Sequence, residues 1–214
     1  MVAAPIVLIF AVEHGEHFAQ QAARATVLGI VSLVGFCAVY GAVAHRAPWP
    51  VAVLAGWAAF GLATALFALV EVPVALSALL ALAGIAALAP QLRRWGLADR
   101  AAESGRSDLL VLRLAVTALL VLALTTAAGS LSPRLSGLLA PFPIITAVLA
   151  GFTHARAGAA AANELLAGLT TGLVSFVAFF VALAALLAPL GVAAAFALAT
   201  AVALGGHAVL IATR

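Results

Sequence analysis

The chain has little charge, no lysine, one cysteine and one methionine among its 214 residues. Charged residues make up 8% of the sequence, whereas an average soluble domain carries roughly 25%. So few polar side chains cannot cover a water-facing globule. The single cysteine, Cys37, leaves no partner for a disulfide and no cysteine cluster for a metal within one chain. These shortages exclude an ordinary soluble domain and a disulfide-stabilised scaffold.

Long apolar runs occupy most of the sequence. Hydrophobic residues supply 66% of the chain, and the mean hydropathy is +1.27. The alternating segments of an outer-membrane barrel, about ten residues each, are absent. Because every backbone amide must be paired inside hydrocarbon, unbroken apolar runs predict helices. The sequence therefore predicts an all-α, polytopic membrane helical bundle.

Proline, glycine and charge divide the chain into about eight apolar segments, most of them near the ~20 residues that cross a bilayer. The first segment is the shortest, because its apolar part stops at Val12, and it predicts a half-helix or a tilted helix. A hydrophilic linker, residues 93–107, separates a first membrane half, 1–92, from a second, 108–214. The predicted segments are 2–18, 18–45, 49–70, 72–92, 108–129, 134–153, 158–188 and 190–211.

The arginines predict a membrane topology. By the positive-inside rule, the arginine-rich linker lies in the cytoplasm of a bacterial inner-membrane protein. Counting the segments outward from the linker places Arg46 and Arg156 on the same side as the linker. Both chain termini are also predicted to lie on that side. Scattered arginines favour this topology signal over nucleic-acid binding, so membrane lipid is the expected surrounding partner. The arginines in or beside the linker are Arg93, Arg94, Arg100 and Arg106.

The two halves resemble each other in sequence. "LGIVSLVGF", residues 28–36, aligns without gaps with "TGLVSFVAF", residues 171–179, and matches Ser32 with Ser175. Chance similarity between segments rich in Ala, Val and Leu is the alternative to a duplication. The same register, and a gapped alignment ahead of it, produce further pairs: Gln20 with Asn163, Gln21 with Glu164, and His14 with His154.

The duplication predicts an inverted-topology internal repeat, because matching helices are separated by an odd number of crossings. Such repeats recur in secondary transporters, where helices interrupted by proline or glycine mark a site at the repeat interface. "VAAPIVL" and "LAPFPIITA" are the interrupted segments here. Proline and glycine are also common in membrane helices generally, which is the alternative explanation. Four glycines are predicted to permit close helix approach: Gly29, Gly35, Gly168 and Gly172.

A polar cluster near the start of the chain, "EHGEHFAQQ", is the first candidate site. Its histidines, His14 and His17, stand three apart and would share a helix face, as metal ligands or a proton relay require. Zinc proteases space their paired histidines four apart instead. An interfacial loop with Glu13 and its neighbours among the lipid headgroups is the alternative. No resident metal or cofactor is expected.

Glu164 opens a long apolar helix. An acid within a membrane favours a functional site, whereas the positive end of the helix dipole would stabilise the same carboxylate as a simple cap. His45 and His207 lie near helix ends and are predicted to be interfacial. Beyond Glu13, His14 and His17, the candidate substrate-binding residues at the repeat interface are Glu164, Asn163, Gln20, Gln21, His154, Ser32 and Ser175.

A longer string carries a family resemblance. "SPRLSGLLAPFPIITAVLAGFTHARAG", residues 132–158, precedes a long helix with Ser175 and Phe179. It resembles the GlpM-type group of small bacterial inner-membrane proteins over residues 108–214, and more weakly over residues 2–70. The resemblance implies an inner-membrane helical unit and no particular transport chemistry.

The sequence predicts a small secondary transporter or permease with a polar site between its repeats. It contains no Gly-x-Ser-x-Gly elbow, no phosphate-binding glycine loop and no soluble lobe, so it is not expected to be an enzyme. A small molecule or an ion is the expected substrate, and a second copy of the chain is a further candidate partner. A non-transporting scaffold or accessory subunit is the alternative function, and metal binding at His14 and His17 is a third hypothesis.

Overall fold

The structure, a computed structural model, describes residues 3–97 and 132–212. Every regular element in these two ranges is a helix, which confirms the predicted all-α class. The predicted segment 108–129 and most of the linker lie outside the described residues. The helices are α1 (Ala3–His14), α2 (Glu16–Ala44), α3 (Trp49–Leu69), α4 (Val74–Leu97), α5 (Pro133–Leu139) and α6 (Ile144–Ala212).

Two glycines kink α6. Gly158 and Gly191 have φ of 81° and 71°, with ψ of 176° and 174°, a conformation that is accessible mainly to glycine. They divide the helix into α6a (residues 144–157), α6b (159–190) and α6c (192–212). Pro189, which has no N–H to donate, lies just before the second kink.

Four helical stretches among the described residues are long and apolar enough to cross a membrane. They are α2, α3, α4 and Pro133–Val209, which contains α5 and most of α6. The 29 residues of α2 extend about 44 Å at 1.5 Å per residue, beyond the ~30 Å hydrocarbon core. The 12 residues of α1 extend only about 18 Å, as expected for a half-helix. The fold is therefore that of a helical membrane protein.

Two helix boundaries differ from the sequence prediction. The segment predicted as one span over 134–153 is broken into α5 and α6a, because Pro141 and Pro143 provide no N–H to continue a helix across 140–143. The last turn of α4 continues past the predicted end at Leu92 to Leu97. Packing stabilises that turn, since Leu92 and Gly96 are buried against neighbouring helices.

The central helix is α2, which contacts every other described helix. Its Ile30, Phe36 and Tyr40 are fully buried. The short helix α5 docks on α2 at close range: a Cβ added to Gly29 would lie 2.5 Å from the Leu138 carbonyl oxygen and 2.8 Å from Pro141. The predicted close approach is therefore confirmed at Gly29. At Gly35, Gly168 and Gly172 an added Cβ would meet no atom of the described residues within 4 Å, so no close approach is present there among the described helices.

The helices bring charged residues together at two opposite ends. The arginine-rich end contains the end of α2, the end of α4 and the α6a–α6b junction, where Gly96 of α4 packs against Glu164. The glutamate-rich end contains the start of α2, the end of α3 and the α6b–α6c junction, where Glu16 approaches Gly191. The first end holds Arg46, Arg93, Arg94 and Arg156, and the second holds Glu13, Glu16 and Glu71.

Arg134 joins α5 to the end of α3. Its guanidinium donates hydrogen bonds to the carbonyls of Phe67, at 3.0 Å, and Val70, and lies 3.8 Å from the Glu71 carboxylate. The last carbonyls of a helix have no donor within the helix. We expect Arg134→Gln to lower the free energy of unfolding by roughly 1 kcal/mol through loss of these bonds.

The matched control for Arg134 is Glu71→Gln. The Glu71 side chain is 96% exposed, and an ion pair at such a site contributes little. We expect this variant to unfold like the native protein in a thermal melt in detergent, at low and at high salt. Equal losses in both variants, or a loss that disappears in salt, would assign the stabilisation to the ion pair instead.

Candidate functional site

Asn163 is the centre of the candidate site. It is the only asparagine in the chain, lies near the start of α6b, and is fully buried. Its Nδ2 donates to the Gly41 carbonyl oxygen at 3.4 Å and lies 2.7 Å from Nε2 of His45. Both contacts cross from α6b to the end of α2. Its Oδ1 is buried without a hydrogen-bond partner.

The contact between Asn163 and His45 joins two side chains that can each donate or accept. The amide has a donor nitrogen and an acceptor oxygen, and a ring nitrogen of histidine donates or accepts according to its tautomer. The direction of the 2.7 Å hydrogen bond therefore follows the tautomer of His45.

A second polar pair lies one turn away on α2. The hydroxyl of Tyr40 lies 3.3 Å from Nδ1 of His154, which belongs to the last turn of α6a. The two rings meet edge to face with centroids 6.2 Å apart. Tyr40 is the only tyrosine in the chain and is buried. A buried tyrosine hydroxyl requires a partner, and His154 provides it.

A cavity of about 400 Å³ adjoins the site at the arginine-rich end. The described residues that line it are Ala42, His45, Arg46 and Trp95. The ring of Trp95, on α4, stands edge to face with His45 at 6.3 Å. His45 therefore has Asn163 on one side and the cavity on the other.

Close helix packing holds the amide of Asn163 in place. Gly41 has no side chain, and a Cβ added there would lie 2.5 Å from Leu92 of α4 and 2.9 Å from Oδ1 of Asn163. Gly41 also belongs to the last turn of α2, whose carbonyls have no donor within the helix. The Asn163 amide supplies a donor to one of them.

The glutamate-rich end has its own amide contact. Nε2 of Gln20, on α2, donates to the Ala184 carbonyl oxygen of α6b at 3.0 Å. Gln21 is exposed, with its Nε2 3.5 Å from the ring of His17. The remaining candidates here, Glu13 and His14, are also exposed. Among the described residues, no group of three or more His, Cys, Asp or Glu side chains is placed to hold a metal ion.

The structure does not bring all the predicted site residues together. Gln20 and Gln21 lie at the opposite end from Asn163 and Glu164, because α2 and α6b run antiparallel. Glu164 is exposed at the arginine-rich end. In the middle of the helices, Ser175 is buried with its Oγ 3.2 Å from Nδ1 of His207. The buried hydroxyl of Ser32 has no hydrogen-bond partner.

Sequence reasoning did not identify His45 and Tyr40 as site residues. His45 was predicted to be interfacial, and it is exposed on one side while it contacts the buried Asn163 on the other. His207, predicted to be interfacial, contacts Ser175 across α6b and α6c. The available signal was rarity, since one tyrosine and one asparagine inside apolar helices each require a polar partner.

Comparison with known proteins adds no assignment. No protein-family model, no curated protein and no solved structure matches this chain. The resemblance to the GlpM-type group stays a prediction, and the function is inferred from the geometry of the described residues.

Proposed function

We propose that the protein is a small secondary transporter made of two inverted repeats, with gates at the two ends of α2 and α6b. The glutamate-end gate is the Gln20–Ala184 hydrogen bond. The arginine-end gate is the Asn163–Gly41 hydrogen bond. A small molecule or ion would pass between the long helices as the gates open in turn.

Two helix breaks support the repeat. Gly15 separates α1 from α2 with φ 86° and ψ 168°, and Gly158 separates α6a from α6b with φ 81° and ψ 176°. With Gly15 matched to Gly158, Pro48 before α3 matches Gly191 before α6c. In this register α3 and α6c correspond along their whole lengths. The same register places Ala11, rather than His14, opposite His154.

The reciprocity of the two gates carries the proposal. In the register of Gly15 with Gly158, Gln20 matches Asn163 and Gly41 matches Ala184. Each gate is therefore the counterpart of the other with the two long helices exchanged, as two units related by a two-fold axis require. Because α2 and α6b are antiparallel, that axis lies across the helices, in the plane of the membrane. Inverted repeats with such an axis recur in secondary transporters.

The charge distribution supports an orientation. The arginine-rich end holds Arg46, Arg93, Arg94 and Arg156, and the positive-inside rule places such an end in the cytoplasm. The arginine-end gate, His45 and the cavity would then face the cytoplasm of a bacterium. The glutamate-end gate would face the opposite side.

A non-transporting scaffold is the alternative, favoured by the buried apolar side chains in the middle of the described helices. Ile30, Phe36 and Leu183 are fully buried, and the described residues that line the cavity lie at the arginine-rich end. A scaffold has no need to open that core. A transporter must open it to each side in turn.

Accessibility of Ser32 tests the proposal. Ser32 lies near the middle of α2 and is fully buried, and Cys37→Ala removes the only native thiol. We expect Ser32→Cys in that background to react with a membrane-impermeant thiol reagent from either face of oriented vesicles. Leu62→Cys is the control, because Leu62 is 66% exposed on α3 and would face lipid. A Ser32→Cys protein that reacts from neither face would favour the scaffold.

A further inference from the structure

The cavity at the arginine-rich end has a guanidinium in its wall. Arg46 lines it beside Ala42, and its Nη1 donates to the Ala42 carbonyl oxygen at 3.4 Å. That bond occupies one of the five N–H groups of the guanidinium. Among the described residues, no carboxylate forms an ion pair with Arg46. The side chain therefore offers both hydrogen-bond donors and positive charge to a ligand in the cavity.

The cavity wall also contains two aromatic rings that are held in place. Trp95 stands edge to face with His45, with ring centroids 6.3 Å apart, and Nε2 of His45 lies 2.7 Å from Nδ2 of the buried Asn163. Sites for small molecules combine apolar and aromatic walls with a few polar groups, in volumes of roughly 300–1,000 Å³. The cavity, at about 400 Å³, has this size and this kind of wall.

We propose that the cavity binds a small organic anion, with Arg46 holding its carboxylate or phosphate group and Trp95 contacting its apolar body. The planar guanidinium presents pairs of N–H groups whose spacing matches two oxygens of a carboxylate or a phosphate. The indole of Trp95 provides a large, rigid apolar surface for the rest of the ligand. Binding is non-covalent and requires no change of protonation in the chain.

The charge around the cavity favours an anion. Glu164 opposes one, as does the negative C-terminal end of the α2 dipole, but the arginines at this end outnumber the single acid among the described residues. An excess of positive charge raises the local concentration of anions. A topology signal also explains arginines at this end, whereas only Arg46 of the four belongs to the described cavity wall. The four are Arg46, Arg93, Arg94 and Arg156.

The position of the cavity connects the anion to transport. His45 lines the cavity and contacts Asn163, whose Nδ2 forms the arginine-end gate with the Gly41 carbonyl. An anion on Arg46 therefore lies directly outside that gate. This role rests on the proposed function, and it makes a small organic anion the transported substrate. Lipid headgroups carry the same phosphate chemistry, so the test includes an anionic lipid.

The fluorescence of Trp95 tests the site. Trp49→Phe with Trp57→Phe leaves Trp95 as the only tryptophan. In nanodiscs of zwitterionic phosphatidylcholine, we expect phenyl phosphate and benzoate to change its emission saturably. Phenol, which has the ring without the charge, should bind at least about tenfold more weakly, because a hydrogen bond to a charged group contributes more than one to a neutral group.

Two arginine variants separate the site from general attraction to this end. Arg46→Gln should weaken both anions by about tenfold or more, through loss of the charged hydrogen bonds. Arg93→Gln is the matched control, because it removes one exposed charge from the same end and should leave the affinity nearly unchanged. Equal losses in the two variants, or phenol binding as tightly as phenyl phosphate, would overturn the anion site.

Thermal unfolding of the chain with all three tryptophans is a second measurement if the tryptophan variants do not fold. A ligand that binds only the folded state raises the melting temperature, so phenyl phosphate should raise it in the native protein and not in Arg46→Gln. No response by either measurement contradicts the site. A Trp95 response to phosphatidylglycerol that Arg46→Gln abolishes, and that blocks phenyl phosphate, would assign the group to a lipid headgroup and overturn the solute.

The outcomes also separate the anion site from the transporter. Saturable anion binding by a protein whose Ser32→Cys variant reacts from neither face would contradict transport and leave the site intact. A Ser32→Cys variant that reacts from both faces, in a protein that binds neither phenyl phosphate nor benzoate, would contradict the anion site only.

Discussion

Asn163→Leu is expected to open the protein toward its arginine-rich end, and Gln20→Leu toward its glutamate-rich end. Each substitution removes the donor of one gate; leucine has the length of asparagine and is one atom shorter than glutamine. A hydrogen bond worth about 1.4 kcal/mol corresponds to a tenfold change in population. We therefore expect Ser32→Cys, in the background without Cys37, to label about tenfold faster from the corresponding face in each variant.

Two neighbouring residues serve as controls for the gates. Gln21 and Glu164 are exposed and belong to neither gate, so Gln21→Leu and Glu164→Gln should leave the labelling rates near those of the parent. Labelling that increases from the same face in both gate variants would contradict the reciprocal arrangement. No change in either variant would show that the two hydrogen bonds do not hold the gates closed.

Local patterns in the sequence predicted the helices and the grouping of charge. Apolar runs defined α2 and α3 to within a few residues, because burial in a bilayer requires apolar residues along the whole helix. Most arginines and most glutamates lie at opposite ends because the helix ends that carry them alternate sides as the spans are counted. Arg134 and Glu164 are exceptions, since Arg134 lies beside Glu71 and Glu164 lies at the arginine-rich end. The break at Pro141 and Pro143 was visible as an interrupted segment, although the prediction joined its two parts.

The contacts of the site could not be predicted from local patterns. His45 and Asn163 are 118 residues apart, and Tyr40 and His154 are 114 apart. Alignment of the two halves pairs Gln20 with Asn163, which are matching positions and not neighbours. The antiparallel packing of α2 on α6b brings the start of one helix to the end of the other, and only that geometry identifies His45 as the neighbour of Asn163.

Gly29 and Gly172 are a second case in which matching positions in the sequence do not predict matching contacts. The repeat register aligns them, and the sequence predicted close helix approach at both. In the structure, α5 packs on Gly29 through the Leu138 carbonyl and Pro141, whereas a Cβ at Gly172 would meet none of the described residues within 4 Å. The described part of the first half contains no counterpart of α5 ahead of α1, so among the described residues this face of α6b is not covered in the same way.

We expect opposite effects when alanine replaces these two glycines. Gly29→Ala places a Cβ against backbone and a proline ring, which cannot move as a flexible side chain can, and should lower the free energy of unfolding by about 1–3 kcal/mol. Gly172→Ala adds a methyl group that contacts none of the described residues and, through the better helix propensity of alanine, should leave stability unchanged or raise it by up to about 1 kcal/mol. Unfolding of both variants in mixed detergent micelles with increasing SDS measures the difference. Equal effects at the two positions would mean that α5 does not pack closely on Gly29.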